Sequence, residues 1–268
     1  MKRLFSLRAC SLALLALSLL AFSSPRDCAA DEGGAFKVMS YNICNGKGLD
    51  KKTDYERTAN VVKSENPDVC AIQELDYKTK RSNGVDVLSE LAKHTGMVPS
   101  YGPAIDFQGG KYGIGILSKE KPIKVDYYPL PGREEQRCLL MVEFEKYVFC
   151  CSHWSLTPED RALTVPIVTS KMKERNKPVF VCGDFNAEPK EEPIKDLFKD
   201  WTVLSNDEVT FPADKPTIRI DYICVADPSG KTSPADWTKA VKKAAVVPEP
   251  VASDHRPITV ELDPSIFD

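Results

Sequence analysis

The sequence predicts one α/β domain of mixed, largely antiparallel sheets with helices outside them. Three observations carry this. After residue 35, short apolar runs of strand length alternate with a few segments of helical spacing. The 268 residues hold no linker, repeat or low-complexity tract. Hydrophobic residues make up 42% and charged residues 28%, which excludes collagen-like and broadly disordered chains.

The first thirty residues read as an address. Lys2, Arg3 and Arg8 form a positive start, residues 9–22 are uncharged and leucine-rich, and Ala29 and Ala30 offer a small-residue cleavage site. The apolar run is well short of the roughly 20 residues that cross a bilayer. The expected product is exported, periplasmic or extracellular, and cleaved after Ala30, with 31–268 as the domain. An uncleaved anchor is the alternative. Cys28 follows Pro-Arg-Asp, which speaks against a lipoprotein. No later segment reaches spanning length, so no transmembrane segment is expected after leader cleavage, and a monomer is expected.

The elements then follow in order. Residues 36–43 read as a strand. Residues 54–65 have helical spacing and end before Asn66-Pro67, where the pre-proline restriction breaks a helix. Residues 68–75 are a continuous apolar run, hence a buried strand. A helix over 85–94 stops at Gly96. Strands follow at 97–104, 112–118, 122–129, 138–144 and 147–154, the last two joined by a tight turn at Glu145-Lys146. Thr157-Pro158-Glu159-Asp160 opens a helix, with Thr157 as cap and Asp160 completing a box-like pair. Pro166 lies inside that helix and is expected to kink or split it, at about 3 kcal/mol. A strand at 178–186, a helix at 191–199 and strands at 218–225 and 258–262 complete the chain.

Charge narrows the function. The formal net charge is −3, and without the first thirty residues the balance is 32 basic to 38 acidic. Binding by phosphate-backbone attraction alone needs a basic excess, so any nucleic-acid role must rest on a local patch. Nine cysteines include Cys10 and Cys28 in the leader. The other seven sit mostly in strand-like runs and read as small buried hydrophobes; there is no CxxC and no zinc spacing.

Several strands end alike, in apolar residues followed by acids, amides or histidine: Asn42, Glu74, His153, Asp184 with Asn186, Asp221, and the final Ser253-Asp254-His255. One such residue alone is a turn former. Six clusters at strand ends can converge on one crevice. Carboxylates and amides suit a hard, oxygen-seeking cation such as Mg2+ or Mn2+. Histidines among carboxylates suit phosphate contact and proton transfer. Asp184 and Asn186, one residue apart, would face the same side of an extended segment. This is a tool set for phosphoryl hydrolysis.

The pieces SYNI, IQE, YGIGILSK, SHW, CGDFN, RIDYI and SDHRP, in that order over 39–257, resemble the endonuclease/exonuclease/phosphatase superfamily. That fold is shared by DNase I, apurinic endonucleases, inositol polyphosphate 5-phosphatases and neutral sphingomyelinases. The stretches RSNGVDVLSELAKHTGM and AIDFQGGKYG are similar to small bacterial metal-dependent hydrolases, which are grouped with the catalytic part of eukaryotic glycosylphosphatidylinositol-anchor remodelling proteins. The resemblance implies a four-layer α/β/β/α sandwich of two mixed, largely antiparallel sheets, DNase I-like, with the site at one end. It implies Glu74 as ligand of Mg2+ or Mn2+, Asn42 as its supporting amide, and Asp254 near the metal. It further implies His153 as a phosphate contact, Asp184 as the acid that directs the attacking water, Asn186 as a transition-state donor, and His255 held by Asp221. Many relatives carry Gly-Asn-Ala where this chain has Gly113-Ile114-Gly115, a departure expected to touch substrate contacts.

Three further residues are expected to bind substrate: Lys80 and Arg81, in a charged loop just after Glu74, and Arg137, which matches an arginine common in relatives. His94, near a helix end, reads as structural, and Arg219 as a strand or rim residue. The expected partner is a phosphorylated substrate, a lipid headgroup or nucleic acid. The expected activity is a phosphodiesterase; a nuclease of the same fold and a non-catalytic phospholigand- or protein-binding module are the alternatives.

Overall fold

The computed structural model describes residues 34–268. The leader expected over 1–30 lies outside the described residues. In chain order the elements are β1 (Phe36–Asn42), α1 (Tyr55–Glu65), β2 (Val69–Tyr77), α2 (Val87–Thr95), β3 (Val98–Phe107), β4 (Gly110–Ser118), β5 (Lys124–Leu130) and β6 (Arg137–Glu143). Then come β7 (Val148–His153), α3 (Pro158–Lys173), β8 (Val179–Asp184), α4 (Glu192–Leu197), β9 (Thr202–Val203), β10 (Asp221–Ala226), α5 (Pro234–Ala240), β11 (Val241–Val246) and β12 (Ile258–Leu262). They form two six-stranded sheets, ordered β11-β12-β1-β2-β4-β3 and β5-β6-β7-β8-β10-β9. Each has one parallel pair, β1 with β2 and β7 with β8, among antiparallel neighbours.

Strand alternation builds the layers. Val69 and Ala71 of β2 face the core between the sheets with Cys151, Phe180, Cys182 and Ile223. Cys70 and Ile72, the alternate residues, meet Ala59, Val62, Leu88 and Leu91 of α1 and α2. On the other sheet Cys150 and Val181 meet Val165, Val168, Ile194 and Leu197 of α3 and α4. The result is helix, sheet, sheet, helix. It also separates the neighbours Cys150 and Cys151 onto opposite faces of β7. All seven described cysteines are free, and only Cys44 among them is not fully buried. No helix among the described residues is long and apolar enough to cross a membrane.

Local signals act as the sequence suggests in α1, where the Asp54 carboxylate accepts from the Arg57 amide at 2.8 Å and Asn66 closes the helix in the left-handed region. Four expectations change. Thr157 does not cap α3 through its side chain; its hydroxyl donates instead to Glu134. Nor does Asp160 close a box, since its carboxylate accepts from Arg133 and Ser155. Pro166 does not split α3. Pro166 and Ala162 both lie on the exposed face, so the carbonyl that loses its i+4 partner is open to water. β10 starts at Asp221 rather than 218, and β9, α5 and β11 were not expected.

Candidate active site

The parallel pairs β1–β2 and β7–β8 end side by side at one end of the sandwich, and their last residues meet. Asn42 Nδ2 donates to Glu74 Oε1 and to Asp184 Oδ2, both at 3.1 Å. This crosses from one sheet to the other. Glu74 reaches it through a bulge: the β2–β4 register shifts between Ile72 and Leu75, and Glu74 takes φ 63°. A bulge re-aims one side chain and ends regular pairing, and left-handed backbone at a non-glycine residue is strain that the surroundings must hold.

Asp184 ends β8 opposite His153 in register. Gly183 precedes it with φ 151°, and a Cβ there would lie 1.8 Å from the Ser152 carbonyl oxygen. Glycine is therefore required for β7 and β8 to close at this point. Behind the pair, Trp154 stacks on Phe185 at 4.2 Å and Phe185 on Tyr222 at 5.3 Å. Trp154 N donates to Asp184 O at 2.9 Å. The residues that follow His153 and Asp184 thus lock both strand ends against an aromatic floor.

Asp184 Oδ2 lies 3.6 Å from His153 Nε2 and 3.5 Å from His255 Nε2. His255 Nδ1 donates to Asp221 Oδ2 at 3.0 Å, and Thr210 Oγ1 donates to the same oxygen. Burial opposes the charge on His255, but Asp221 and Asp184 outweigh it and raise its pKa above the ordinary imidazole value. His153 differs. Burial first, then the positive charges of Arg137 and His255, hold it well below that value. Arg137 Nη1 lies 3.2 Å from His153 Nδ1. A guanidinium only donates, so Nδ1 accepts and the ring proton sits on Nε2, facing Asp184. Burial raises the Asp184 carboxyl, with Asp221 adding to it and His255 acting against it.

The metal-ligand chemistry separates from this network. Asp184, Asp221 and His255 offer atoms within 4.8 Å of one another, yet these are committed to each other and a protonated His255 has no lone pair to give. Glu74 and Asp254 fit a hard divalent cation better. Burial raises the Glu74 carboxyl, Asn42 acts against the rise, and the neighbouring Asp254 charge adds to it. Two close, partly desolvated carboxylates are the donor set that a cation relieves. Asn42, expected among the metal residues, turns its nitrogen to the carboxylates and gives Oδ1 to the Cys44 amide at 3.1 Å. It orients Glu74 rather than facing a cation with oxygen.

A cleft of about 450 Å³ opens over these groups. It is lined by Glu74, Arg137, His153, Asp184, Asn186 and His255 of the expected residues. Asn186 arrives differently than expected. It has φ 48°, its amide donates to Asp184 Oδ1 at 2.9 Å and its Nδ2 to the Trp154 carbonyl at 3.0 Å. A left-handed turn, not an extended segment, brings it in. Asp221 acts from behind His255.

Lys80 and Arg81 are not in the cleft lining. Lys80 is exposed, and Arg81 is bound to Asp76 at 2.7 and 3.0 Å with its guanidinium over the rings of Phe107 and Tyr112. It fixes Tyr112, which does line the cleft. Ile114 is buried in the core between the sheets, so the Gly113-Ile114-Gly115 departure is a packing feature rather than a substrate contact. His94 pairs with Glu90 on its own helix at 3.1 Å. Arg219 is buried against Ser205 and Tyr222. Sequence reasoning missed Tyr112, Glu135, Glu188, Glu191 and Phe211 in the lining. Ser253, expected only as part of the final cluster, ties the last loop through its hydroxyl to the Asn42 carbonyl at 2.7 Å.

A family model described as the Endonuclease/Exonuclease/phosphatase family matches residues 39–255. A protein of that family from Bacteroides thetaiotaomicron superposes with TM-score 0.68 at 19% identity, covering 86% of this chain and 96% of its own. A mannosyl-6-phosphatase from the same organism gives 0.67 at 18% identity, over 85% of this chain and 100% of its own. TDP2 from Caenorhabditis elegans gives 0.63 at 18% identity, over 87% and 76%. At these identities the likeness is one of fold.

Proposed function

This chain belongs to the endonuclease/exonuclease/phosphatase family, and we propose that it is an exported, Mg2+- or Mn2+-dependent phosphoester hydrolase in which water attacks phosphorus in line. A phosphodiester stands ahead of a monoester because the small-hydrolase resemblance is tied to lipid remodelling. One observation carries the mechanism. Asp184 Oδ2 sits between two imidazole Nε2 atoms at 3.5 and 3.6 Å, at the base of an open cleft. Those distances exceed a good hydrogen bond, so neither imidazole is committed to the carboxylate, and a water or phosphate oxygen on the cleft side of the three atoms can take their free hydrogen-bonding capacity.

Asp184 Oδ2 accepts the proton of the attacking water and, held at 3.1 Å by Asn42 Nδ2, keeps its direction. His255, protonated and braced by Asp221, donates from Nε2 to a phosphate oxygen. His153 donates from Nε2 as a neutral imidazole, its tautomer fixed by Arg137. Asn186 keeps one amide hydrogen beyond its bond to Trp154 for the added charge. Glu74 and Asp254 would hold the cation, which when bound supplies Lewis-acid neutralisation of the phosphate.

The test is hydrolysis of bis-p-nitrophenyl phosphate by the exported protein with Mg2+ or Mn2+, with and without EDTA. Turnover abolished by EDTA and restored by the cation is expected. Binding of phosphoesters without any turnover would instead favour a non-catalytic module. Mass spectrometry of the exported product is expected to begin after Ala30; an intact Met1 would refute cleavage.

A further inference from the structure

The two sheets have four edge strands among the described residues, β11 and β3 in one and β5 and β9 in the other. An edge presents unpaired backbone N–H and C=O groups, and chains blunt it with shortness, proline, lysine or a bulge. Three of the four are blunted. β9 has two residues. β3 carries Pro99 and Pro103, which lack an N–H, and its register shifts between Pro103 and Ile105. β11 carries Lys242 and Lys243 and shifts register between Val241 and Lys243. β5 has seven residues and pairs with β6 from Lys124 to Leu130 without a shift. Its proline, Pro129, lies near the far end.

β5 also carries an exposed apolar row. Ile123 extends the strand, its amide donating to the Glu143 carbonyl at 2.8 Å. Ile123, Val125 and Tyr127 alternate, hence share one face, and are 59%, 45% and 55% exposed. They are three of the seven large hydrophobic side chains exposed among the described residues. Single exposed apolar residues are ordinary; a row of them on an open edge is a contact surface. The other face turns to α3. There Arg175 Nη2 reaches Tyr128 Oη at 3.3 Å and Asp126 Oδ2 at 3.7 Å. Lys124 Nζ lies 2.7 Å from the same Asp126 oxygen, so both charges stand at the edge.

The order Ile123-Lys124-Val125-Asp126-Tyr127 shows what covers the row, because it is complementary to itself. Two copies running antiparallel about a two-fold axis at Val125 set Val125 against its own copy, Lys124 of each against Asp126 of the other, and Ile123 against Tyr127. Every opposed pair is then apolar with apolar or positive with negative. Moving the axis to Lys124 or to Asp126 sets a charge against its own copy, so one register is specified. We infer that β5 is the interface of a two-fold homodimer, in which the sheets that contain β5 join edge to edge. The dimer replaces the monomer expected from the sequence, where the exposure of this row is hidden. It does not depend on the hydrolase reading.

Sedimentation of the exported protein over about 1–500 μM tests it; pairing over 123–127 makes a small interface, so the mass is expected to double within that range. Lys124→Glu sets an acid against Asp126 and is expected to return the mass to that of one chain. Lys124→Glu combined with Asp126→Lys restores opposite charges and is expected to recover the dimer. Val125→Lys sets two cations on the axis and is expected to abolish the dimer at every concentration, with the far-UV circular dichroism of the wild type. Val125→Cys is expected to form a disulfide-linked dimer on oxidation, because directly opposed residues lie about 4.5–5.5 Å apart, within reach of that bond. Tyr127→Cys, remote from its own copy along the strand, is expected to form none. A one-chain mass for the wild type throughout the range overturns the inference and leaves the edge to water or to a strand of another protein. A dimer that survives Val125→Lys overturns it too, since the copies then meet by another face. Cross-linking of Tyr127→Cys as complete as that of Val125→Cys overturns it as well.

Discussion

The two parallel strand pairs occupy the same place in their sheets, third and fourth in order, and each is joined by a helix. They end in opposite electrostatic conditions. In β7–β8, His153 stands directly opposite Asp184, and the acid is surrounded by two imidazoles and an amide. In β1–β2, Asn42 stands opposite Gln73, and Glu74 enters only because a bulge swings it there. The acid Asp254 acts on it most among its charged neighbours, with His255 and Arg81 acting against Asp254. The same topology thus yields an acid set among imidazoles and an acid whose burial and acidic neighbour are only partly offset. The second kind of end asks for a cation, and the first does not.

Isosteric amides break the comparison most directly. Asp184→Asn keeps the shape but removes the proton acceptor, and kcat is expected to fall by about 10³-fold. Added Mg2+ or Mn2+ should not restore it. Glu74→Gln should lose activity comparably at low cation but regain part of it as cation rises, because only affinity is impaired. Steady-state kinetics over a cation series checks both; recovery of Asp184→Asn at high cation would exchange the two assignments.

The histidines sharpen it next. His255 is held above the ordinary imidazole value by two acids, so its proton is lost only on the alkaline side. Asp184 is raised by burial, so the acid limb lies above the ordinary carboxylate range. Asp221→Asn removes one of the charges that lift His255. The alkaline limb of kcat/KM should therefore move to lower pH, with a loss of about 10²-fold at neutral pH. An unmoved limb in the pH–rate profile would show that another group sets it.

The backbone gives a third contrast. An added Cβ at Gly183 meets the Ser152 carbonyl, whereas at Gly115 it meets the ends of Leu75 and Leu88 at 2.6 and 2.7 Å. Peptide backbone cannot step aside as leucine methyls can. Gly183→Ala is expected to cost about 3 kcal/mol or more and Gly115→Ala about 1 kcal/mol. Denaturant titration of both variants measures this.

The strand ends were legible because an apolar run that stops at an acid, amide or histidine is visible in a single chain. The fold class followed from the same alternation. What was not legible depends on partners distant in sequence. The Glu74 bulge exists only against the β4 register. Asn186 reads as the end of a strand, while its left-handed turn is set by bonds to Asp184 and Trp154. The β11 residues VKKAAV follow α5 with no glycine or proline between them, so the change of period is hidden. Nothing in the spacing of Glu135, Glu188 and Glu191 brings them into one cleft lining with Asp184.

The smallest expected effect separates support from chemistry. Glu134 is outside the cleft lining, yet its carboxylate accepts from Ser155 Oγ at 2.7 Å, the Leu156 amide at 2.7 Å and Thr157 Oγ1 at 3.1 Å, with Arg137 Nη2 at 3.3 Å. It clamps the loop after His153 and the arginine that sets its tautomer; among the described residues Glu74 takes a side-chain bond from Asn42 alone. Burial is the largest single influence and acts against its charge, but these donors together outweigh it and pull the pKa from 4.5 down to about 2. A depressed carboxyl stabilises the fold above its unfolded value and loses that contribution as pH falls through the folded one. Glu134→Gln should therefore lower Tm by about 2–4 °C at neutral pH. The difference should shrink as pH falls from 4.5 to about 2, the unfolded carboxyl protonating first and the folded one at the lower end. Thermal melts across that window decide it. A difference that persists unchanged at the acid end would mean that shape, and not charge, holds the loop.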